Sequence, residues 1–311
     1  MKLSIIVPCL NEEKNISLFY QTLKEKLKIS DYEIIFIDDG SKDQTFSEMK
    51  KLAHKNSHIK VIRFSKNFGK DAAIYAGLIK STGNIISIID GDLQQNPSYL
   101  NKMFDVLTTN DEYDQIVMIP TNENKKGLSR LGRKIFYRLI DSLSNTDFIA
   151  GASDFRMFRK NVSNAIIELS ERNRFSKGLF SWIGFNTKKM TYTIEKRKHG
   201  KTKYNFKANF KYAIDAIFDF SPKPLRLATY LGVISSLLAF IYGTTLIITT
   251  LTQGVDVPGY ASTLCIVLFL GGAQLLAIGI LGEYLSRTYI EVKKRPIYII
   301  KDDIGFNQTK K

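Results

Sequence analysis

Asn84-Ile85-Ile86-Ser87-Ile88-Ile89-Asp90-Gly91-Asp92-Leu93-Gln94 is an apolar run that ends in two carboxylates one residue apart. The run reads as a buried strand, and a strand delivers whatever follows it to one edge of its sheet. Two aspartates at such an edge make an oxygen-donor pair suited to a hard divalent cation. Mg²⁺ keeps one or two protein carboxylates and takes its other ligands from water and substrate phosphates. The stretch therefore predicts a strand-end site for Mg²⁺ or Mn²⁺ carrying a diphosphate.

Four more strand candidates lie around it, at residues 3–7, 33–37, 60–63 and 115–119. Helical patterns separate them. Ile16, Phe19, Leu23 and Leu27 make one such stripe, with Asn11 as its expected N-cap and Glu12 and Glu13 in its first turn. Strand–helix alternation predicts an α/β fold, a mostly parallel Rossmann-like sheet whose ligands bind beyond the carboxyl ends of the strands. Polar clusters fall at those ends: residues 8–12, Asp38-Asp39-Gly40-Ser41, Ser65-Lys66-Asn67 and residues 90–94. Asp, Gly and Ser also build ordinary turns, so each cluster alone stays open to that reading. Four on one edge point to a site.

Lys and Arg number 45 against 30 Asp and Glu in 311 residues, a net charge of +15. That excess calls for an anionic partner, either nucleic acid or a membrane surface. The C-terminal third favours membrane lipids. Residues 227–255 and 257–282 contain no Lys or Arg, and the one acid between them is Asp256. Each run exceeds the roughly 20 residues that cross a bilayer core of about 30 Å. Lys223 and Arg226 precede the pair, Arg287, Lys293, Lys294 and Arg295 follow it, and residues 252–260 carry no basic group. The positive-inside rule then predicts a two-span hairpin in the cell membrane, with the N-terminal domain and both termini cytoplasmic. The opening residues, interrupted by Pro8, Asn11 and Glu12, do not suit a signal peptide.

No nucleic-acid module is recognisable, so no nucleic-acid partner is expected. Cys9 and Cys265 provide neither a disulfide framework nor metal-cluster spacing. The expected division is a soluble domain at 1–205, a juxtamembrane interfacial helix at 206–224, two transmembrane helices at 225–286 and a cytoplasmic tail at 287–311. Gly271, Gly272, Ala273, Ala277, Gly279 and Gly282 suit close helix packing, within the hairpin or between copies in a homo-oligomer. Residues 125–138 read as a basic amphipathic helix, with Leu128, Leu131, Ile135 and Leu139 opposite Lys126, Arg130, Arg133, Lys134 and Arg138. A solvated face and a surface turned to lipid headgroups both fit that pattern.

Taken in order, these segments resemble the inverting GT-A polyprenyl-phosphate glycosyltransferases, the family of dolichol-phosphate mannose synthase and the bacterial undecaprenyl-phosphate glucosyl- and N-acetylglucosaminyltransferases. The resemblance is carried by residues 7–12 (VPCLNE), 38–41 (DDGS), 64–70 (FSKNFGK), 90–94 (DGDLQ), 154–156 (DFR) and 197–204 (RKHGKTKY), followed by the paired spans. It implies a GT-A catalytic domain on a membrane hairpin, a UDP-sugar donor and an undecaprenyl phosphate acceptor. It assigns nucleotide-sugar contacts to Pro8, Leu10, Asn11, Glu12, Asp38, Asp39, Ser41, Asn67, Lys70, Asp90, Gly91 and Lys203. Asp39 is placed near the uracil N3 proton, and Leu10 departs from the aromatic usual at its position. Asp92 and Gln94 would hold Mg²⁺ or Mn²⁺, with Asp92, Asp154 and Arg197 as catalytic groups.

Arg197 and Lys203 belong to a cationic, glycine-containing stretch that either closes over the donor phosphates or faces the membrane. Asp154 aligns with a proposed base; it equally suits pairing with Arg156 or positioning the sugar. Arg130 and Arg133 are candidates for the acceptor phosphate, because guanidinium binds phosphate oxygens bidentately. The expected reaction is transfer of one glucose or N-acetylglucosamine to the lipid phosphate. Two other readings compete. A processive polysaccharide synthase shares the nucleotide pocket, but the only tryptophan, Trp182, lacks the Gln-x-x-Arg-Trp spacing of that class. A silent membrane scaffold has no need of both Asp90 and Asp92.

Overall fold

A computed structural model describes residues 1–121, 149, 151–169, 171–195, 218–219, 221–253 and 259–306. The described strands are β1 (Leu3–Cys9), β2 (Tyr32–Asp38), β3 (Ile59–Phe64), β4 (Ile85–Ile88), β5 (Gln115–Thr121), β6 (Arg156–Arg159), β7 (Thr187–Thr193) and β8 (Ile300–Ile304). The helices are α1 (Glu13–Lys26), α2 (Thr45–Lys55), α3 (Lys70–Lys80), α4 (Ser98–Thr109), α5 (Lys160–Glu168), α6 (Ser176–Trp182), α7 (Lys223–Gln253) and α8 (Tyr260–Val292). The basic stretch with Arg130 and Arg133, the stretch with Arg197 and Lys203, and most of the expected interfacial helix lie outside the described residues.

One eight-stranded sheet runs in the order β7-β5-β6-β4-β1-β2-β3-β8. β6 and β8 are antiparallel to their neighbours, and the other six strands share one direction. β1 is buried at every residue, as befits a central parallel strand covered on both faces. Its side chains alternate between two cores. Ile5 and Val7 meet Ile16, Phe19 and Leu23 of α1, Met49 of α2 and Met103 of α4. Ile6 packs with Ala73 and Ala76 of α3, Val162 of α5 and Leu179 of α6.

α7 and α8 span 31 and 33 residues, about 46 and 50 Å at 1.5 Å per residue, longer than a bilayer core. Their apolar side chains point outward: Phe240 is 73 % exposed and Leu251 81 %. A core helix of a soluble protein would bury such residues, so the two helices form a hairpin suited to a lipid environment. A Cβ at Gly271, Gly272, Gly279 or Gly282 would meet nothing within 4 Å. Those glycines therefore do not bring α8 close to α7.

The chain beyond the hairpin is more than a tail. α8 continues to Val292, and residues 300–304 return to the sheet as β8 beside β3. Tyr298 stacks on Phe64 with ring centroids 4.9 Å apart, and Arg63 lies 3.7 Å from Asp302. The base of α8 also grips the soluble domain. Glu291 Oε1 accepts the Arg172 N–H at 2.7 Å, and Arg172 Nε donates to the Arg295 carbonyl at 2.9 Å. Arg287 pairs with Asp219 and with Glu283.

Candidate functional site

Because β1 to β4 are parallel, their carboxyl ends bring Cys9, Asp38, Phe64 and the Asp90 turn to one edge. β6 runs the other way, with Arg156 opposite Ile88, so its entry residues reach the same edge. Topology alone thus places Asp154, two residues before β6, across from Asp90, two residues after β4.

The turns after β1 and β2 are laced together. The Asp39 N–H donates to the Cys9 carbonyl, the Asn11 N–H to Ser41 Oγ, and the Ser41 N–H to Asp38 Oδ1, each at 2.9 Å. Asn11 adopts φ 51°, a left-handed conformation that asparagine tolerates, and its Oδ1 accepts the Lys42 N–H. It ties the two turns and does not cap α1 as expected. Glu12 occupies the cap position, and its carboxylate accepts Asn15 Nδ2 at 2.6 Å. Gly40 has φ 66°, and a Cβ there would sit 2.4 Å from the Lys66 carbonyl carbon. Only glycine lets this turn pass so close to the β3–α3 loop.

Asp39 is 4 % exposed, and its carboxylate accepts the Phe68 N–H at 2.7 Å and the Gly69 N–H at 3.0 Å. Burial pushes its carboxyl up to about 6 although the two amides pull the other way. The carboxylate aimed by resemblance at a uracil is here engaged with loop amides. Asp38 is fully buried, with Arg63 Nε 3.4 Å from Oδ2. Pro8 is buried in β1, Leu10 is half-buried beside it, and Asn67 is exposed on the loop before α3.

Around Asp90 every carboxylate oxygen has a protein partner. Oδ1 lies 2.6 Å from Lys70 Nζ, and Oδ2 accepts Gln95 Nε2 at 3.0 Å. Gln95 Oε1 in turn accepts the Asp90 N–H at 2.9 Å. Lys70 Nζ also lies 2.8 Å from Asp154 Oδ2. Burial would lower the Lys70 ammonium, yet Asp154 and Asp90 hold it well above its ordinary value. Burial would raise the Asp154 carboxyl, yet Lys70 foremost, with Lys177 and Arg156, holds it well below the usual carboxylate range. Arg156 stacks over the Phe180 ring at 4.1 Å and donates to the Ser153 carbonyl.

Between the aspartates, Gly91 packs against β1; a Cβ would lie 3.0 Å from Cys9 Sγ. Leu93 takes φ 63°, which turns the chain so that the Gln94 N–H donates to Asp92 Oδ1 at 3.1 Å. The Glu195 N–H donates to the Gln94 carbonyl at 3.0 Å, which holds Glu195 beside this turn. The donor set here is all oxygen, which fits Mg²⁺ or Mn²⁺. Among the described residues no three His, Cys, Asp or Glu side chains gather around one point. An ion at Asp92 would therefore take most of its ligands from substrate and water, as Mg²⁺ commonly does.

Gln95 escaped the sequence reading. Its neighbour Gln94 belongs to the recognised segment, and only the left-handed Leu93 shows that position 95 folds back on Asp90. Lys177, near Asp154, was likewise unmarked, because α6 is a short helix with no motif.

Comparison with known proteins gives two family matches. Residues 4–167 match glycosyl transferase family 2, and residues 223–288 match the GtrB C-terminal hairpin. The chain is 44 % identical over 305 residues to the putative glycosyltransferase CsbB of Bacillus subtilis (strain 168), covering 96 % of this chain and 91 % of that protein. It is 40 % identical over 306 residues to the prophage bactoprenol glucosyl transferase homolog of Escherichia coli (strain K12), covering 97 % and 99 %. The bactoprenol glucosyl transferase of Shigella phage SfII is 39 % identical over 306 residues, covering 97 % and 98 %.

Proposed function

The chain belongs to glycosyl transferase family 2, in its polyprenyl-phosphate branch with the GtrB-type hairpin, and from that membership we propose that it transfers one glucose from UDP-glucose to undecaprenyl phosphate at the cytoplasmic face of the cell membrane. Glucose and the bactoprenol acceptor follow the names of relatives that match along nearly their whole length. One observation carries the reading: the carboxylate-bearing edge lies in the same sheet as β8, the strand that follows the lipid-suited hairpin. β3 precedes the hairpin and β8 follows it, which supports both ends lying on one side of the membrane. The flanking basic residues support the cytoplasmic side for both ends.

In this reading the nucleoside rests over the laced turns after β1 and β2, against Leu10, Asn11 and Gly40, with the buried Pro8, Asp38, Asp39 and Ser41 supporting them from beneath, and the diphosphate reaches the Asp90–Asp92 turn. Asp92 and Gln94 would hold the divalent cation, which supplies charge neutralisation for the departing nucleoside diphosphate. A phosphate oxygen of the acceptor attacks the anomeric carbon opposite the leaving group. The new C–O bond forms as the bond to UDP breaks, with inversion. The acceptor is already anionic, so orientation matters more than deprotonation. Arg130 and Arg133 are the candidates for binding its phosphate, and Arg197 with Lys203 for binding the donor phosphates; all four lie outside the described residues.

A donor panel tests this. Purified full-length chain with undecaprenyl phosphate is offered UDP-glucose, UDP-galactose, UDP-N-acetylglucosamine and GDP-mannose, and the released nucleotide is identified. Fastest release of UDP from UDP-glucose is expected. Release of GDP alone would overturn the donor assignment.

A further inference from the structure

Lys70 is the first residue of α3, and its ammonium joins residues delivered by three different strands. It touches Asp90 beyond β4 at 2.6 Å and Asp154 before β6 at 2.8 Å, while its own backbone continues the loop from β3. Both contacts are charge-assisted hydrogen bonds. Building on the transfer reading above, we propose that Lys70 is a positioning residue: by bridging Asp90 and Asp154 it sets the spacing between the turn that receives the donor diphosphate and the carboxylate that meets the transferred sugar.

The stem that carries this ammonium is fixed from both sides. On the N-terminal side, the Phe68 and Gly69 N–H groups are held by the buried Asp39 carboxylate. On the C-terminal side, Asp71 Oδ1 accepts the Ser176 N–H at 2.9 Å, which anchors the start of α3 to the start of α6. Asp90 is equally constrained, because Gln95 takes its other carboxylate oxygen and its backbone N–H. Without the ammonium, the two carboxylates would face each other across the β4–β6 pair and repel. The Lys70 side chain is one-third exposed and that of Asp154 17 %, so the bridge borders solvent while its ion pairs stay largely covered.

The bridge also bears on what Asp154 does. A carboxylate kept ionised by an adjacent ammonium is a weak proton acceptor and a strong orienting charge. An anionic acceptor phosphate needs the second property, not the first.

Two measurements on the full-length protein test the inference. Displacing a reacting group by about 1 Å costs about 100-fold in rate, so Lys70→Met should lower kcat about 100-fold with donor KM within about threefold of wild type. Lys70→Arg, whose guanidinium also spans two carboxylates, should restore kcat to within about tenfold. A large rise in donor KM at near-normal kcat would mean that Lys70 binds the donor phosphates directly, and it overturns the proposal. The second measurement is independent of turnover. Thermal unfolding of Lys70→Met, Asp154→Asn and the double variant should show the double variant melting above Lys70→Met, since removing one carboxylate relieves the unpaired charge. Strictly additive losses overturn the bridge. Absence of product from wild type would condemn the transfer reading, and the melting cycle would still decide the role of Lys70.

Discussion

Glu33 lies at the end of β2 remote from the site, so its loss perturbs the packing of the sheet and leaves the chemistry alone. Its side chain is 2 % exposed, and Lys60 Nζ stands 2.7 Å from Oε2. Oε1 accepts Ser4 Oγ at 2.5 Å, the Thr82 N–H at 2.7 Å and Thr82 Oγ1 at 2.8 Å. Glu33→Ala strands a buried hydroxyl, a backbone N–H and an ammonium together. Removing one partner of a buried ion pair costs about 3–5 kcal/mol, and Lys60 recovers part of that through water, which leaves about 3 kcal/mol. For a domain of this size the unfolding midpoint should fall by about 6–12 °C.

Glu33 also fixes a pH dependence. Burial would raise its carboxyl, but Lys60, Ser4 and Thr82 hold it at about 2, against 4.5 for the unexceptional group. A depressed carboxylate stabilises the fold above its unfolded pKa, and that stabilisation, about 3 kcal/mol, is lost as pH falls from 4.5 through about 2. Thermal unfolding of detergent-solubilised full-length chain, followed by near-ultraviolet circular dichroism, reads both effects. The stability gap between wild type and Glu33→Gln should be constant from pH 7 to 5 and narrow below 4.5. Transfer activity well below the melting temperature should be untouched. A midpoint shift for Glu33→Ala under about 2 °C, or a gap that ignores pH, would mean that Glu33 does not hold these partners together in the folded protein.

Three further outcomes are expected. Gly40→Ala forces a Cβ into the Lys66 backbone at positive φ, so it should cost at least about 2 kcal/mol and weaken UDP binding by calorimetry. Asp92→Asn should lower transfer at least about 100-fold, the scale of losing one electrostatic stabiliser, with an unchanged far-ultraviolet circular dichroism spectrum. Truncation after Arg295 removes β8 and Tyr298, uncovering Phe64 and the β3 edge; lower melting temperature and increased aggregation should follow, measured by light scattering.

β1 to β5 were legible because buried parallel strands read as continuous apolar runs between turn residues. β6 was not, since Arg156-Met157-Phe158-Arg159 is four residues long and begins and ends in charge. Those charges are accommodated by tertiary partners: Arg156 by the Phe180 ring, and Arg159 by the Leu107 and Asn110 carbonyls and Asp111. β7 and β8 are edge strands whose polar outer residues blur the period of two. β8 carries a further difficulty, because its partner β3 lies on the other side of the hairpin.

The aspartate turn was visible as a local pattern, and the prediction that it reaches a common edge with residues 8–12 and 38–41 holds. The Lys70 bridge was not visible. It requires the antiparallel β4–β6 register, which sets Arg156 against Ile88, and nothing local to Asp154 announces that register. Asn11 shows the converse failure: a residue type that favours helix caps is used here for its tolerance of positive φ.

Transfer of radiolabelled glucose from UDP-glucose into organic solvent reads the proposed reaction itself. Full-length chain in membranes or micelles, given undecaprenyl phosphate and Mg²⁺ or Mn²⁺, should produce a labelled lipid and one UDP per glucose moved, and chelation of the ion should stop both. No extractable label with any sugar nucleotide under either ion would contradict the assignment.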